Sequence, residues 1–544
     1  MLTGLERAPY RVNDEARARA ILKGENLCCE DFSLQQTYGK HRESVDLARN
    51  EVIGVPLEGA STLEVGEASS PTLLSDEERE PTPSVLSRLK HWIGLDRAIA
   101  FTVLARIWSA AAGVVTVLLI ARFLTPDEQG YYYTFFSLFA LQIVFELGFC
   151  FVVLQLAAHE CARLTISSDG LVTGDLISHS RLASVLQQAA RWYSVAAALM
   201  ASTLLPAGLY FFASHQHAGT AVAWRAPWCL LILVTAITFQ MDPLCAFVEG
   251  CGFVPQMAQM RICQAIVASL LAWTVMLTGH GLYAPAMLIM GNAIMQAWFL
   301  LGHRLRRLLI GLFRHKVAGN SVSWRREIWP FQWRIAITWI SSYLIFQIFN
   351  PVLFAFEGPV AAGRMGMSLS IATSIGSTGI AWMSTKASPF GAMIARREFA
   401  KLDRLFFRTL WQSTSLIAAA AAGFFLCLSI GSSLFPRLAA RMLPPWTFGL
   451  LLLTTIMNHV VSSEALYMRS HKREPLLIQT VVIALLLCVS TVTSARFLGT
   501  NAVTLGYFIF GGILSIIWAT RTFIAKRREW YASSDVIAPA RLGR

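Results

Sequence analysis

Eight residues stand where ionisable side chains are expensive: Arg106, Glu146, Asp242, Glu249, Arg261, Arg364, His459 and Glu464 fall inside or at the edges of long apolar runs. A charge at the centre of a membrane helix costs roughly 2.5–3.5 kcal/mol on insertion scales, so each one marks a pathway or a partner. Arg106 carries a planar fork that grips phosphate oxygens in pairs if it faces a cavity. The alternative is a side chain that reaches back to headgroups a turn or two away. Glu146, with Gln142 one turn earlier on the same face, either neutralises Arg106 from a neighbouring helix or carries a coupled proton. Asp242 precedes Pro243 and shares a helix face with Glu249; Asp242-Pro243 marks either a kink whose freed carbonyls hold a cation or a simple kink with a hydrogen-bonded aspartate. Asn458, His459 and Glu464 suit interhelical hydrogen bonds, with proton sensing by the imidazole as the other use.

These residues need a scaffold, and composition says which kind. Of 544 residues 55% are hydrophobic and 15% charged, against about 25% charged in soluble domains. A membrane crossing takes roughly 20 apolar residues, so the chain accommodates a dozen spans, which excludes a single-anchor enzyme. Apolar blocks predict spans at 99–121, 131–156, 189–212, 226–248, 260–279, 282–302, 333–356, 361–383, 410–430, 447–467, 476–496 and 502–524. The expected fold is all-α and integral to the membrane, with about twelve transmembrane helices in two pseudo-repeated six-helix lobes after a disordered N-terminal tail. The boundaries read 1–97 for an acidic cytoplasmic tail, 98–302 for the first lobe, 303–332 for a basic connector, 333–525 for the second lobe and 526–544 for a cytoplasmic tail.

Charge divides along the same lines. Residues 1–90 hold 16 acidic and 11 basic side chains, whereas the remainder carries a net +18. The tail cannot bury enough apolar surface to order itself. The basicity lies in the membrane part, where it marks cytoplasmic loops and anionic lipid headgroups and disfavours nucleic acid as a partner. Loops 303–332 and 384–409, Arg469, Lys472, Arg473 and the cluster Lys526-Arg527-Arg528 fall on one side, placing both termini in the cytoplasm. Trp192, Trp224, Trp228, Trp329, Trp333, Trp446 and Trp530 lie near the expected interfaces and read mostly as belt anchors. Small residues at Gly366, Ser370 and Ser374 of the eighth block permit close helix packing. Ten cysteines form no CxxC pair or Cys/His cluster, so neither a metal site nor a cofactor is expected.

The chain also looks duplicated. Pro126 to Gly130, after span 1, and Pro359 to Gly363, after span 7, share a Pro-x3-Gly turn; Val254-Pro255 after span 4 is echoed by Glu474-Pro475 after span 10. Transporters often place a substrate pathway between such halves.

Ala121-Arg-Phe-Leu-Thr-Pro-Asp-Glu-Gln-Gly-Tyr-Tyr-Tyr133, continuing to Phe145-Glu-Leu-Gly148, resembles the opening two spans of bacterial polysaccharide-transporter and O-antigen flippases. These belong to the multidrug/oligosaccharidyl-lipid/polysaccharide (MOP) superfamily. Tyr467-Met-Arg-Ser-His-Lys-Arg-Glu-Pro-Leu-Leu477 resembles their short turn after span 10. The resemblance covers about 98–525; the acidic tail departs from it. It implies two six-helix lobes that pass a polyprenyl-diphosphate-linked oligosaccharide across the bacterial inner membrane, with H+ or Na+ coupling in some members. Polysaccharide-assembly proteins are the accompanying partners. On that reading Arg106, Arg261 and Arg364 are candidate contacts for diphosphate or sugar acids. Glu146, Asp242, Glu249, His459 and Glu464 are candidates for ion coupling or intramembrane pairing.

Two other functions compete. A cation-coupled multidrug exporter of the same superfamily would favour acidic and aromatic cavity groups. A membrane glycosyltransferase, polymerase or ligase needs positioned acids or metal ligands on an external loop. The loops at 213–225 and 431–446 hold no carboxylate, and no DxD pair occurs; the chain is therefore not expected to be an enzyme.

Overall fold

The computed structural model describes residues 97–216, 222–317, 321–323, 327–434, 436–471 and 473–537. Residues 1–96 of the expected acidic tail, and the last seven of the chain, lie outside them. Eight helices are long and apolar enough to cross a membrane, and eleven if three bent pairs each count as one span. A further helix, Pro359–Ser384, has the length, but its serines, threonines and glycines leave it more polar than the others. With it the helices match the twelve expected spans.

The first lobe holds span 1 (Arg97–Phe123), span 2 (Pro126–Phe139, Gln142–Glu146 and Phe149–Cys161), span 3 (Leu176–Ser214), span 4 (Arg225–Gly250), span 5 (Val254–Leu277) and span 6 (Gly281–Leu300). The second holds span 7 (Trp329–Phe346 and Phe349–Glu357), span 8 (Pro359–Ser384), span 9 (Phe399–Leu434), span 10 (Pro445–Ser470), span 11 (Leu477–Phe497) and span 12 (Thr500–Tyr531). Span 3 starts thirteen residues before its expected boundary, at Leu176. Asp175 caps that start by accepting from the backbone of Ile177 and Ser178. An antiparallel hairpin, Leu164–Ile166 with Val172–Gly174, precedes it; three-residue strands were not visible in the hydropathy.

The duplicated turns meet in space. Thr125 caps span 2 through a capping box with Glu128, and Pro126 opens the helix. Gly130 then lies so close to the Pro359 carbonyl that no Cβ fits, and a Cβ on Gly363 would come within 2.9 Å of the Gly130 nitrogen. Gln129 ties the two ends, donating through Nε2 to the carbonyls of Gly363 (2.8 Å) and Arg441 (2.9 Å), while Arg441 donates to Leu124 O at 2.6 Å. Gly366 likewise lies against the Tyr133 ring, which confirms close packing at the small residues of span 8. Further along span 8 the same face is no longer covered: Thr373, Ser374, Ser377 and Ser384 are exposed. The two lobes therefore join along spans 2 and 8 at the end remote from the basic loops, and nearer the basic end Ile335 of span 7 lies against Gly148 of span 2.

The basic connector is structured where it is described. His303–Arg314 turns 80° from span 6 and buries Leu305, Leu308, Leu309 and Leu312 while exposing Arg306, Arg307 and Arg314. Gln187 of span 3 donates to the carbonyls of Leu312 and His315, and Gln188 to that of Val322. Arg181 bridges the buried Glu160 (2.8 Å) and Glu327 (2.6 Å). Against the pull of burial, the Ser323 backbone N–H and Arg181 hold the Glu327 carboxyl below its ordinary range.

Two of the expected belt tryptophans are core residues instead. Trp224 and Trp228 are buried and stack with Tyr131, Phe135 and Phe212. Trp329, Trp333 and Trp446 are exposed, as interfacial anchors require.

Candidate functional site

Span 2 breaks beside its acid. Leu147 and Gly148 both take left-handed φ, 50° and 68°, a conformation unfavourable by about 1–2 kcal/mol for a residue such as leucine. Gly148 is obligatory there, since the Ile335 side chain of span 7 occupies the space of a Cβ. Glu146 is thus the last residue of a five-residue helix, with backbone carbonyls released next to it. One turn on, Cys150 Sγ lies 2.8 Å from the Tyr193 hydroxyl of span 3.

Asp242 sits in span 4, whose helix runs on through Pro243, a residue with no N–H for the carbonyl one turn back. Its Oδ1 accepts from Gln296 Nε2 of span 6 at 2.9 Å, the hydrogen-bonded aspartate of the sequence reading. Together they border a cavity of about 400 Å³ between spans 2, 4, 5 and 6, within the roughly 300–1,000 Å³ of small-molecule sites. Spans 2 and 4 contribute Phe139, Gln142, Thr235 and Thr238; spans 5 and 6 contribute Arg261, Gln264 and Asn292. Arg261 donates to Glu249 at 2.6 Å, so its charge reaches the cavity already compensated.

The second lobe assembles a different cluster. His459 Nε2 lies 2.9 Å from Ser413 Oγ, Asn458 donates to the Tyr507 hydroxyl at 3.2 Å, and Glu464 Oε1 accepts from Thr520 at 2.9 Å. His459 and Glu464 are 1% and 4% exposed. Interhelical hydrogen bonding, the first use read for them, is what they do.

The remaining candidates are scattered. Arg106 is exposed on span 1 and takes part in no ion pair among the described residues. The Arg106–Glu146 pair considered from the sequence is therefore not formed: Arg106 is exposed on span 1, whereas Glu146 is half-buried at the break of span 2. Arg364 donates to Ala440 O at 3.1 Å at the joined end of the lobes. Sequence reasoning missed Gln264, Asn292 and Gln296, whose only signal is a carboxamide inside an apolar run. It also missed the break after Glu146, for which Gly148 was the clue.

Helix order, broken span 2 and paired lobes define a class: this is a multi-pass membrane protein with the fold of MOP-superfamily transporters. Among solved structures, the inward-facing conformation of a multidrug resistance MATE family transporter of that superfamily superposes with a TM-score of 0.55 at 14% identity, covering 79% of this chain and 98% of the transporter. A MATE in complex with MaD3S gives 0.50 at 15% identity, covering 80% and 98%. The lipid II flippase MurJ, in an inward closed conformation, gives 0.50 at 13% identity, covering 81% and 92%. At these identities the likeness is one of fold. No family model matches the sequence, and no curated protein does.

Proposed function

We propose that the chain is a flippase. It carries a polyprenyl-diphosphate-linked oligosaccharide, an O-antigen or exopolysaccharide precursor, across the bacterial inner membrane by alternating access, with both termini cytoplasmic. The observation that carries this reading is the cavity of about 400 Å³ in the first lobe, lined by carboxamides and hydroxyls around Asp242. An apolar lumen would suit hydrocarbon and an uncompensated acidic box would suit a lipophilic cation; carboxamides and hydroxyls around one acid suit a polar headgroup. Span 8 leaves the hydroxyls of Thr373, Ser374 and Ser377 exposed to a polar cargo, and the lipid tail stays in the bilayer.

Arg106 is the proposed diphosphate contact, with Arg364 as a secondary one, and Arg261 on the cavity wall is the candidate for an acidic group of a sugar. Glu146 and Asp242 are the proposed coupling site: two neighbouring carboxyls in a poor dielectric repel when both are charged, which favours a shared proton or a bound cation. Glu249, His459 and Glu464 are supporting intramembrane groups. Polysaccharide-assembly proteins would meet the basic face. The same carboxyl pair favours a second reading, cation-coupled drug export.

The test is the sidedness of lipid-linked oligosaccharide in native cells depleted of the protein, with peptidoglycan precursor as control. Accumulation on the cytoplasmic leaflet, reversed by the intact gene, supports the flippase; unchanged sidedness together with restored cationic-drug efflux supports the exporter. Arg106→Ala is expected to lower flipping about tenfold or more, the loss of a charge-assisted contact worth about 1.5–3 kcal/mol. Full transport at normal protein level removes Arg106 from the site.

A further inference from the structure

The cavity in the first lobe distinguishes between the parts of such a cargo. Asp242 places a carboxylate on its wall, and the one guanidinium there, Arg261, is held by Glu249. A diphosphate entering it would face Asp242 and compete with Glu249 for Arg261, an unfavourable exchange in a medium of low dielectric. The neutral groups, by contrast, are short of partners. Gln296 is 7% exposed, its Nε2 is spent on Asp242, and its Oε1 is buried without a hydrogen bond. Thr235 and Thr238 donate to their own helix, at Leu231 O and Val234 O, so their oxygens are left as acceptors. The site thus offers mixed acceptors and carboxamide donors beside the ring of Phe139, the pattern that matches vicinal hydroxyls and the apolar face of a sugar ring.

Resting on the flippase reading, we propose that this cavity is the saccharide subsite: it receives a neutral, hydroxyl-rich sugar residue of the cargo, with a hydroxyl donating to Gln296 Oε1, while the diphosphate stays outside. Gln296 is then a specificity-determining residue. A buried acceptor left unsatisfied disfavours the empty site, so a cargo that supplies the donor gains more than the hydrogen bond alone.

The experiment uses the full chain reconstituted in nanodiscs and two probes: a short-chain prenyl diphosphate bearing one N-acetylhexosamine, and the same prenyl diphosphate without sugar. Wild type is expected to bind the sugar-bearing probe about tenfold more tightly, the scale of one such hydrogen bond. Gln296→Leu and Asn292→Leu should each remove that preference, with melting temperature in the nanodisc showing that the variants are folded. Arg106→Ala should weaken both probes equally. A preference that survives both cavity variants, or no preference in wild type, overturns the saccharide subsite and leaves the flippase reading standing. Binding of neither probe overturns both.

Discussion

Spans 4 and 10 occupy equivalent places in the two repeats, and each carries an acid at membrane depth, yet the acids live in different surroundings. Asp242 opens on a cavity of about 400 Å³ and shares it with carboxamides from three further spans. Glu464 is 4% exposed, packed beside His459, and each makes one bond to a hydroxyl of a neighbouring helix. Duplication therefore preserved the helices and let the interiors diverge. A wet acid can exchange protons or ligands without moving its helix, whereas a sealed one acts mainly as an interhelical bond.

The contrast breaks most directly at the acids themselves. Asp242→Ala removes the partner of Gln296 and the carboxyl on the cavity wall, and is expected to lower transport about ten- to a hundredfold, in line with loss of a charged hydrogen bond. Glu464→Gln, which keeps the size and the bond to Thr520, should leave transport within about threefold on the same scale. Flux measured in proteoliposomes at matched protein level decides; equal losses would mean that both lobes work.

The seam between the lobes sharpens the comparison, because Gly130 and Gly363 are equivalent residues of the two repeats. A Cβ on Gly130 overlaps the Pro359 backbone, and one on Gly363 meets the Gly130 nitrogen at 2.9 Å. Gly130→Ala should therefore destabilise by about 1–3 kcal/mol, with the larger share of that range falling to Gly130 rather than Gly363. Melting temperatures of the two variants in detergent order them; a milder Gly130→Ala would show that the seam yields easily.

A third variant pair compares dry with wet. Thr520→Val strips Glu464 of its donor inside packed protein, at a cost of about 1–3 kcal/mol. Gln296→Leu strips Asp242 likewise, but water in the cavity can take the donor's place, so its stability loss should be smaller. Equal losses by chemical denaturation would indicate that the cavity is closed to water.

Most of the frame could be read from the residues, and the reason is energetic. Apolar runs of spanning length have few alternatives in a bilayer, so span order and the basic loops were legible. Charges in those runs are rare enough to flag, which is how Asp242, Glu146, Glu249 and Arg261 were found. Gln264, Asn292 and Gln296 were not, because a carboxamide is tolerated on any helix face and only the rotation of spans 5 and 6 brings them together. The Arg106–Glu146 pairing failed for the same reason, since adjacency of spans does not fix which faces meet. Span 3's early start was hidden too, as its first turns are amphipathic rather than apolar.

The smallest expected effect lies at the basic end of the second lobe, where the hub is an acid, whereas in the first lobe it is Arg181 between Glu160 and Glu327. Asp403 accepts from Arg527, Tyr467 and Tyr531, and His471 stacks on Trp530 with ring centroids 3.9 Å apart. These contacts pin the end of span 12 to spans 9 and 10. Burial pulls the His471 pKa down to about 4, opposed in part by Asp403. The folded state then favours neutral imidazole relative to an unfolded chain that titrates near 6.5. That contribution is complete above about pH 6.5 and is lost as pH falls toward 4, because the unfolded chain takes up a proton that the packed ring resists. Melting temperature should drop over that window, and His471→Phe, which keeps the stack on Trp530, should flatten the drop. An unchanged pH profile in that variant would assign the acid sensitivity to another group, with Glu327 next: its lowered carboxyl pKa makes its contribution fade as pH falls through the carboxylate range.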